Sequence, residues 1–198
     1  MEDLLEAALA AAVAAGASYA DARSVETTSE ALSVRGDVVE ALERSDSIGF
    51  GVRVLVDGAW GFAASYETSA PVASQTAAAA VEIARATATA LSHPVELVPE
   101  PPHRATWSSP WEIDPLAVSV EEKVGLLASA TAEMAVSPAI RAARGTMDAL
   151  RQRTVFVSSE GAAIDQTIVH TGAGIEATAV DGAEIQTRSY PGSFRGHL

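Results

Sequence analysis

Residues 51–65 read GVRVLVDGAWGFAAS, and this stretch decides the fold class. Asp57-Gly58 stands between two runs of alternating residues. Such a pair favours a tight type I′ turn, in which both central residues need positive φ. The spacing predicts a hairpin of 51–56 with 59–65. Strand periodicity puts Val52, Val54 and Val56 on one face and Arg53 and Leu55 on the other. Trp60 and Phe62 flank Gly61 and also share a face. A charged residue inside an apolar strand, followed by an aromatic pair after the turn, needs an explanation.

Outward from the hairpin, the apolar period changes. Residues 2–15 read as a helix, with Glu2 and Asp3 at its positive end and Gly16 as its stop. Residues 71–91 read as a second helix, with Pro71 in its first turn and Pro94 beyond its end. Ser119 and Glu122 form a capping box at the start of a third helix, over 119–136. Val25, Leu32, Val34, Val38 and Val39 suggest three short strands with a turn near Gly36-Asp37. The Pro-rich stretch 94–119 reads as a connector with one short strand, packed by Trp107 and Trp111. From Ala139 the period returns to two, and four or five strands are expected, with turns at Glu160-Gly161 and Asp181-Gly182. Strands in consecutive groups between helices argue for an α+β fold with antiparallel sheets and about three helices, not a doubly wound parallel sheet.

Composition excludes several functions. The chain of 198 residues carries 13 Lys and Arg against 26 Asp and Glu, a net charge of −13. No basic cluster exists to neutralise phosphates, so nucleic acid is not an expected partner. The absence of cysteine removes disulfides and thiolate metal sites from this chain. The N-terminal apolar run is Ala-rich, short and led by acids, so it reads neither as a membrane span nor as a signal peptide. A cytoplasmic protein with no membrane partner is expected.

Catalytic patterns are missing. His93, His103, His170 and His197 show no metal-binding spacing. His93 and His103 flank the Pro-rich loop, and His170 sits on an expected strand in a surface or cross-strand role. There is no Gly-x-Ser-x-Gly, and GAGIEATAVDG lacks the spacing of a phosphate loop. The residues alone describe a scaffold with no recognisable reaction centre.

The stretch GVRVLVDGAWGFAAS nonetheless resembles the N-terminal domain of the TldD/PmbA family of zinc metallopeptidases. Residues 16–65 resemble the family's opening, IDPLAVSVEEKVGLL (113–127) its middle helix, and VFVSSEGAAIDQT (155–167) and DGAEIQTRSYPG (181–192) its later strands. The turn VDGAWGFA is nearer the TldD branch than the PmbA (TldE) branch. The resemblance implies one N-terminal-domain-like segment over 1–198, with substructure 1–93 and 104–198. It also implies proteolysis of peptides or unfolded protein segments, and a homodimer or a heterodimer with a TldE/PmbA-type subunit. The family's zinc is held by a His-Glu-x-x-x-His helix and a later cysteine, which follow the segment resembling RSYPG. This chain stops at SFRGHL, which departs from the glycine-rich continuation of the family. The catalytic half is therefore expected to be absent, through truncation, a frameshift or excision of the domain. No catalytic or metal residue carries over, and zinc is expected only in the intact family protein.

The resemblance gives Arg53, Trp60 and Phe62 a role in a peptide channel or a subunit interface. The plainer expectation is that Arg53 forms a salt bridge to Asp57 or Glu67, and that Trp60 and Phe62 pack in the core. Two other functions stay open: a non-catalytic module that associates with full-length TldD or TldE partners, and an α+β scaffold with an unrelated ligand.

Overall fold

The computed structural model describes residues 1–191, and His197 and the SFRGHL terminus lie outside the described residues. The element order is α1 (Glu2–Ala14), β1 (Tyr19–Arg35), β2 (Val38–Val56), β3 (Ala59–Ser65), α2 (Ala70–Ala88), β4 (Arg104–Ser108), α3 (Val120–Met134), β5 (Ile140–Ser158), β6 (Ala163–Asp181) and β7 (Glu184–Tyr190). The strand order is β3-β2-β1-β5-β6-β4, with β7 also paired to β6. This is the expected α+β class, with three helices among the described residues. One pair departs from the antiparallel pattern, because β4 runs parallel to β6.

The 57–58 hairpin forms as its residues dictate. Asp57 has φ 51° and Gly58 φ 74°, the left-handed pair that a type I′ turn requires. Val56 faces Ala59, Leu55 faces Trp60 and Arg53 faces Phe62 across the ladder. Pro94, beyond α2, closes over the turn, and a Cβ at Gly58 would fall 2.3 Å from its Cβ.

Strand counts differ from the sequence expectation. Three short strands before the hairpin are instead one 17-residue strand and the first part of a 19-residue one. Polar residues answer one another along them. Thr28 donates to Asp46 at 2.6 Å and Arg44 to Glu30 at 2.5 Å. Cross-strand polar pairs carry the ladder through the stretches between its apolar residues. After Ala139, two 19-residue strands and one of seven residues replace the expected four or five. The turns at Glu160-Gly161 and Asp181-Gly182 stand where expected.

The described residues fall into two compact units that interleave along the chain. The first comprises 1–27, 47–108 and 152–167, and the second 28–46, 109–151 and the chain from 168.

In the first unit, α1 and α2 cover one sheet face. Leu5, Ala8, Leu9 and Ala12 form the buried stripe of α1, at the spacing of one helix face. Ala73, Ala77, Ala80, Val81 and Ala84 form that of α2. They pack on Val52, Val54, Val56, Ala20 and Ala22, all buried. Alanine contributes little area per residue, but it lets helix and strand backbones approach closely.

In the second unit, α3 packs Leu127 on Leu32 and Val34. Ser119 caps the helix, its Oγ accepting from the Glu122 amide at 3.1 Å. Replacing Ser119 with Ala should cost about 1 kcal/mol, read as a lower urea midpoint with unchanged slope. Thr131 Oγ1 donates to the Gly36 carbonyl at 2.7 Å.

The connector yields the one short strand expected, β4. Its tryptophans are not packing residues, however. Trp107 is 51% and Trp111 44% exposed. The whole of β4 is exposed, so Trp107 has no apolar layer over it.

Candidate functional site

The face of the first unit opposite α1 and α2 is open. Strand periodicity puts Tyr19, Asp21, Arg23 and Val25 of β1 on this face and Ala20, Ala22 and Ser24 on the other, with Asp21 buried on it beside Arg53. On β2 the open-face residues are Gly49, Gly51, Arg53 and Leu55, and on β3 Trp60, Phe62 and Ala64. Between them lies a groove of about 650 Å³, lined by residues of β1, β2 and β3 and by Tyr66.

Arg53 is held at one side of this groove. Its Nε and one terminal nitrogen both donate to Asp21 Oδ2, at 2.8 and 2.7 Å. Its guanidinium lies 4.7 Å from the Trp60 ring centroid, within cation–π range. Trp60 meets Tyr19 edge to face at 5.9 Å. The expected partners Asp57 and Glu67 are displaced by Asp21 on a neighbouring strand. A carboxylate on the same sheet face lets two N–H groups of Arg53 converge on one oxygen, an approach that a turn residue does not offer.

The core expectation for the aromatic pair is overturned. Phe62 is 59% exposed and Trp60 only partly buried, both on the face away from the helices. Gly61 between them takes the helix side, so the aromatics must point outward. Phe62 instead folds over Gly51, where a Cβ would meet its ring at 2.7 Å.

Tyr19 reports on this cluster. Burial, then the Asp21 charge and its hydrogen bond, push its hydroxyl up to about 12, against a partial lowering by Arg53. Folded Tyr19 therefore keeps its proton from pH 10 to 12 while the unfolded chain loses it. The stability this contributes is full below pH 10 and is lost as pH rises through 12. An absorbance titration at 295 nm should show one tyrosine ionising near pH 12.

The other candidates lie elsewhere. His170 is exposed on β6 and lines a separate groove of about 480 Å³ within the second unit, with Glu43 and Asp148. His93 and His103 lie in the connector. The zinc implied by the resemblance finds no ligand set here: no group of three or more His, Cys, Asp or Glu side chains could hold a metal ion among the described residues. The residues present do not fit a catalytic zinc, which takes three protein ligands. The residues that sequence reasoning missed are Tyr19, Asp21 and Arg23. Their signal was the period-two alternation in YADARSV.

Comparison with known proteins agrees with this architecture. The model for PmbA/TldA metallopeptidase domain 1 matches residues 20–88, which include the groove residues of β1 to β3. The model for the PmbA/TldA metallopeptidase central domain matches residues 113–196. Comparison with curated protein sequences returns no match. Among solved structures, a candidate modulator of DNA gyrase from Bacteroides thetaiotaomicron is similar at TM-score 0.73 and 13% identity, over 95% of this chain and 43% of that one. A second candidate gyrase modulator, from Thermotoga maritima, gives 0.72 and 15%, over 95% and 42%. TldE from Thermococcus kodakarensis gives 0.69 and 13%, over 96% and 42%. The chain thus spans less than half the length of these structures, which share its fold. No helix among the described residues is long and apolar enough to cross a membrane. With both family models matching in order and together covering most of its length, the chain belongs to the PmbA/TldD metallopeptidase family, whose first and central domains it contains.

Proposed function

We propose that this chain forms the substrate-channel and dimerisation part of a cytoplasmic TldD-type zinc metallopeptidase acting on peptides or unfolded protein segments, and that it is inactive alone. The observation that carries this reading is the open groove around Arg53 and Phe62, inside the part matched by the first-domain model. β3 is the end strand of the sheet beside this groove, and exposed sheet edges hold extended peptides through backbone hydrogen bonds, with pockets for alternate side chains. In this reading Arg53, Trp60 and Phe62 shape the channel wall, and zinc belongs to residues that follow the matched segments in the intact family protein.

The test is hydrolysis of fluorescein-labelled casein by this chain with added zinc. No turnover is expected. Turnover that co-purifies with the chain and stops on adding chelator would overturn the reading.

A second reading is a non-catalytic module that associates with a full-length TldD or TldE subunit, as either a homodimer or heterodimer partner. It is favoured by Phe62 and Tyr66, which are 59% and 86% exposed beside the same groove. Exposed aromatic patches of this kind mark interaction sites. Size-exclusion chromatography with a purified full-length partner should then show a complex. A strictly monomeric chain that never co-elutes would count against it.

A further inference from the structure

The groove of the first unit contains two arginines in different electrostatic situations. Arg53 is neutralised by Asp21 through two hydrogen bonds. Arg23, beside it on the same strand face as Asp21, lines the groove with its guanidinium 5.4 Å above the Phe156 ring. It makes no ion pair among the described residues. Among the described residues Asp21 is the only carboxylate lining the groove, so Arg23 and Arg53 leave it with a net positive charge in a chain of net charge −13. A cation–π contact draws on the positive charge of a guanidinium without using up its N–H donors.

The rest of the groove is apolar and shaped. Gly49 gives it a stretch of floor without a side chain, and Gly51 makes room for the Phe62 ring. Phe62 lies over Gly51 as one wall, and Ile48 and Tyr66 add exposed apolar surface. We infer that this groove takes an extended peptide segment carrying a side-chain carboxylate, which pairs with Arg23, next to an apolar side chain that packs on Phe62. The inference rests on the channel reading above and names the substrate feature that the channel prefers. Groove residues continue on both sides of Arg23, toward Val25 and Ser47 one way and Arg53 the other. The carboxylate is thus that of an internal Asp or Glu and not of a chain terminus.

The experiment is isothermal titration of the full chain with Ac-Ala-Ala-Leu-Glu-Ala-Ala-amide, its Gln counterpart as amide, and the Gln counterpart as free acid. The Glu peptide is expected to bind about tenfold more tightly than either Gln peptide, the worth of one charge-assisted pair. Arg23→Gln should abolish that preference while leaving the melting temperature unchanged, since Arg23 is exposed. Phe62→Ala should weaken the Glu and Gln peptides alike. Equal binding of all three peptides would overturn the anionic subsite and leave the channel reading standing. Preference for the free acid would overturn the internal-residue assignment. Binding of none would overturn the subsite and the channel reading together.

Discussion

Replacing Lys123 with Met should cost about 3 kcal/mol of stability, measured by urea denaturation at pH 7. Lys123 is the only lysine in the chain, and it is 3% exposed on the inner side of α3. Its Nζ donates to Glu30 Oε1 at 2.5 Å, and Glu30 is itself 4% exposed. Arg44 donates to the other carboxylate oxygen, also at 2.5 Å. Removing Lys123 leaves a buried carboxylate with one exposed partner, which is why the loss is set at the lower end of the range for broken buried pairs. Adding Glu30→Gln to the Met variant removes the uncompensated charge and should recover part of the loss. A loss below ~1 kcal/mol would mean that water reaches Glu30 and the pair is not sealed.

The same pair sets a pH dependence. Burial alone would raise the Glu30 carboxyl, but hydrogen bonds from Lys123 and Arg44 and their charges outweigh it and hold it below its usual 4.5. Glu30 thus stays ionised in the fold where the unfolded chain takes up a proton. Its contribution is present above pH 4.5 and is lost as pH falls through the depressed value. The Met variant should lose less stability on acidification than the parent.

Gly61→Val should be the most disruptive single change in the first unit. A Cβ at Gly61 would fall 2.0 Å from the Ala80 carbonyl oxygen and 2.6 Å from the Ala84 amide nitrogen. Both are backbone atoms of α2, so no rotamer change relieves the clash, and strand and helix must separate. A loss of about 3 kcal/mol or more is expected, seen as a drop in melting temperature of roughly 6–12 °C. Because α2 packs against β3 on the side away from the groove, the Arg53–Asp21 pair should survive in whatever fraction stays folded. A melting temperature within 2 °C of the parent would show that α2 does not sit on β3 at this distance.

Much of the fold was legible in the residues because its signals are local. The 57–58 turn rests on two residues that tolerate positive φ. The first two helices rest on one apolar stripe each, and the Ser119 cap of α3 forms as its spacing demands. Strand lengths were not legible. In 26–48 the apolar alternation is confined to residues such as Leu32 and Val34, and the rest of the ladder is held by polar pairs such as Thr28 with Asp46 and Glu30 with Arg44, whose members lie on different strands. Trp107 and Trp111 looked like core residues on hydrophobicity alone. The exposure of Trp107 follows from β4 being an outer strand, a fact of sheet order, and Trp111 lies in the loop beyond it.

At the groove, the sequence by itself determined that Arg53 and Leu55 share a face, that Trp60 and Phe62 share one too, and that the turn brings these strands together. Periodicity and turn chemistry suffice for that. Only the tertiary structure decided which face was which. The alanine stripe of α2 took the Gly61 side, because a glycine there admits the helix backbone, and so turned the aromatics outward. It also decided Arg53's partner, because Asp21 lies 32 residues away and reaches Arg53 through the arrangement of β1 and β2. The buried Lys123–Glu30 pair, 93 residues apart, has the same origin. A charge in a sequence reads as surface until a second element closes over it and supplies the opposite charge.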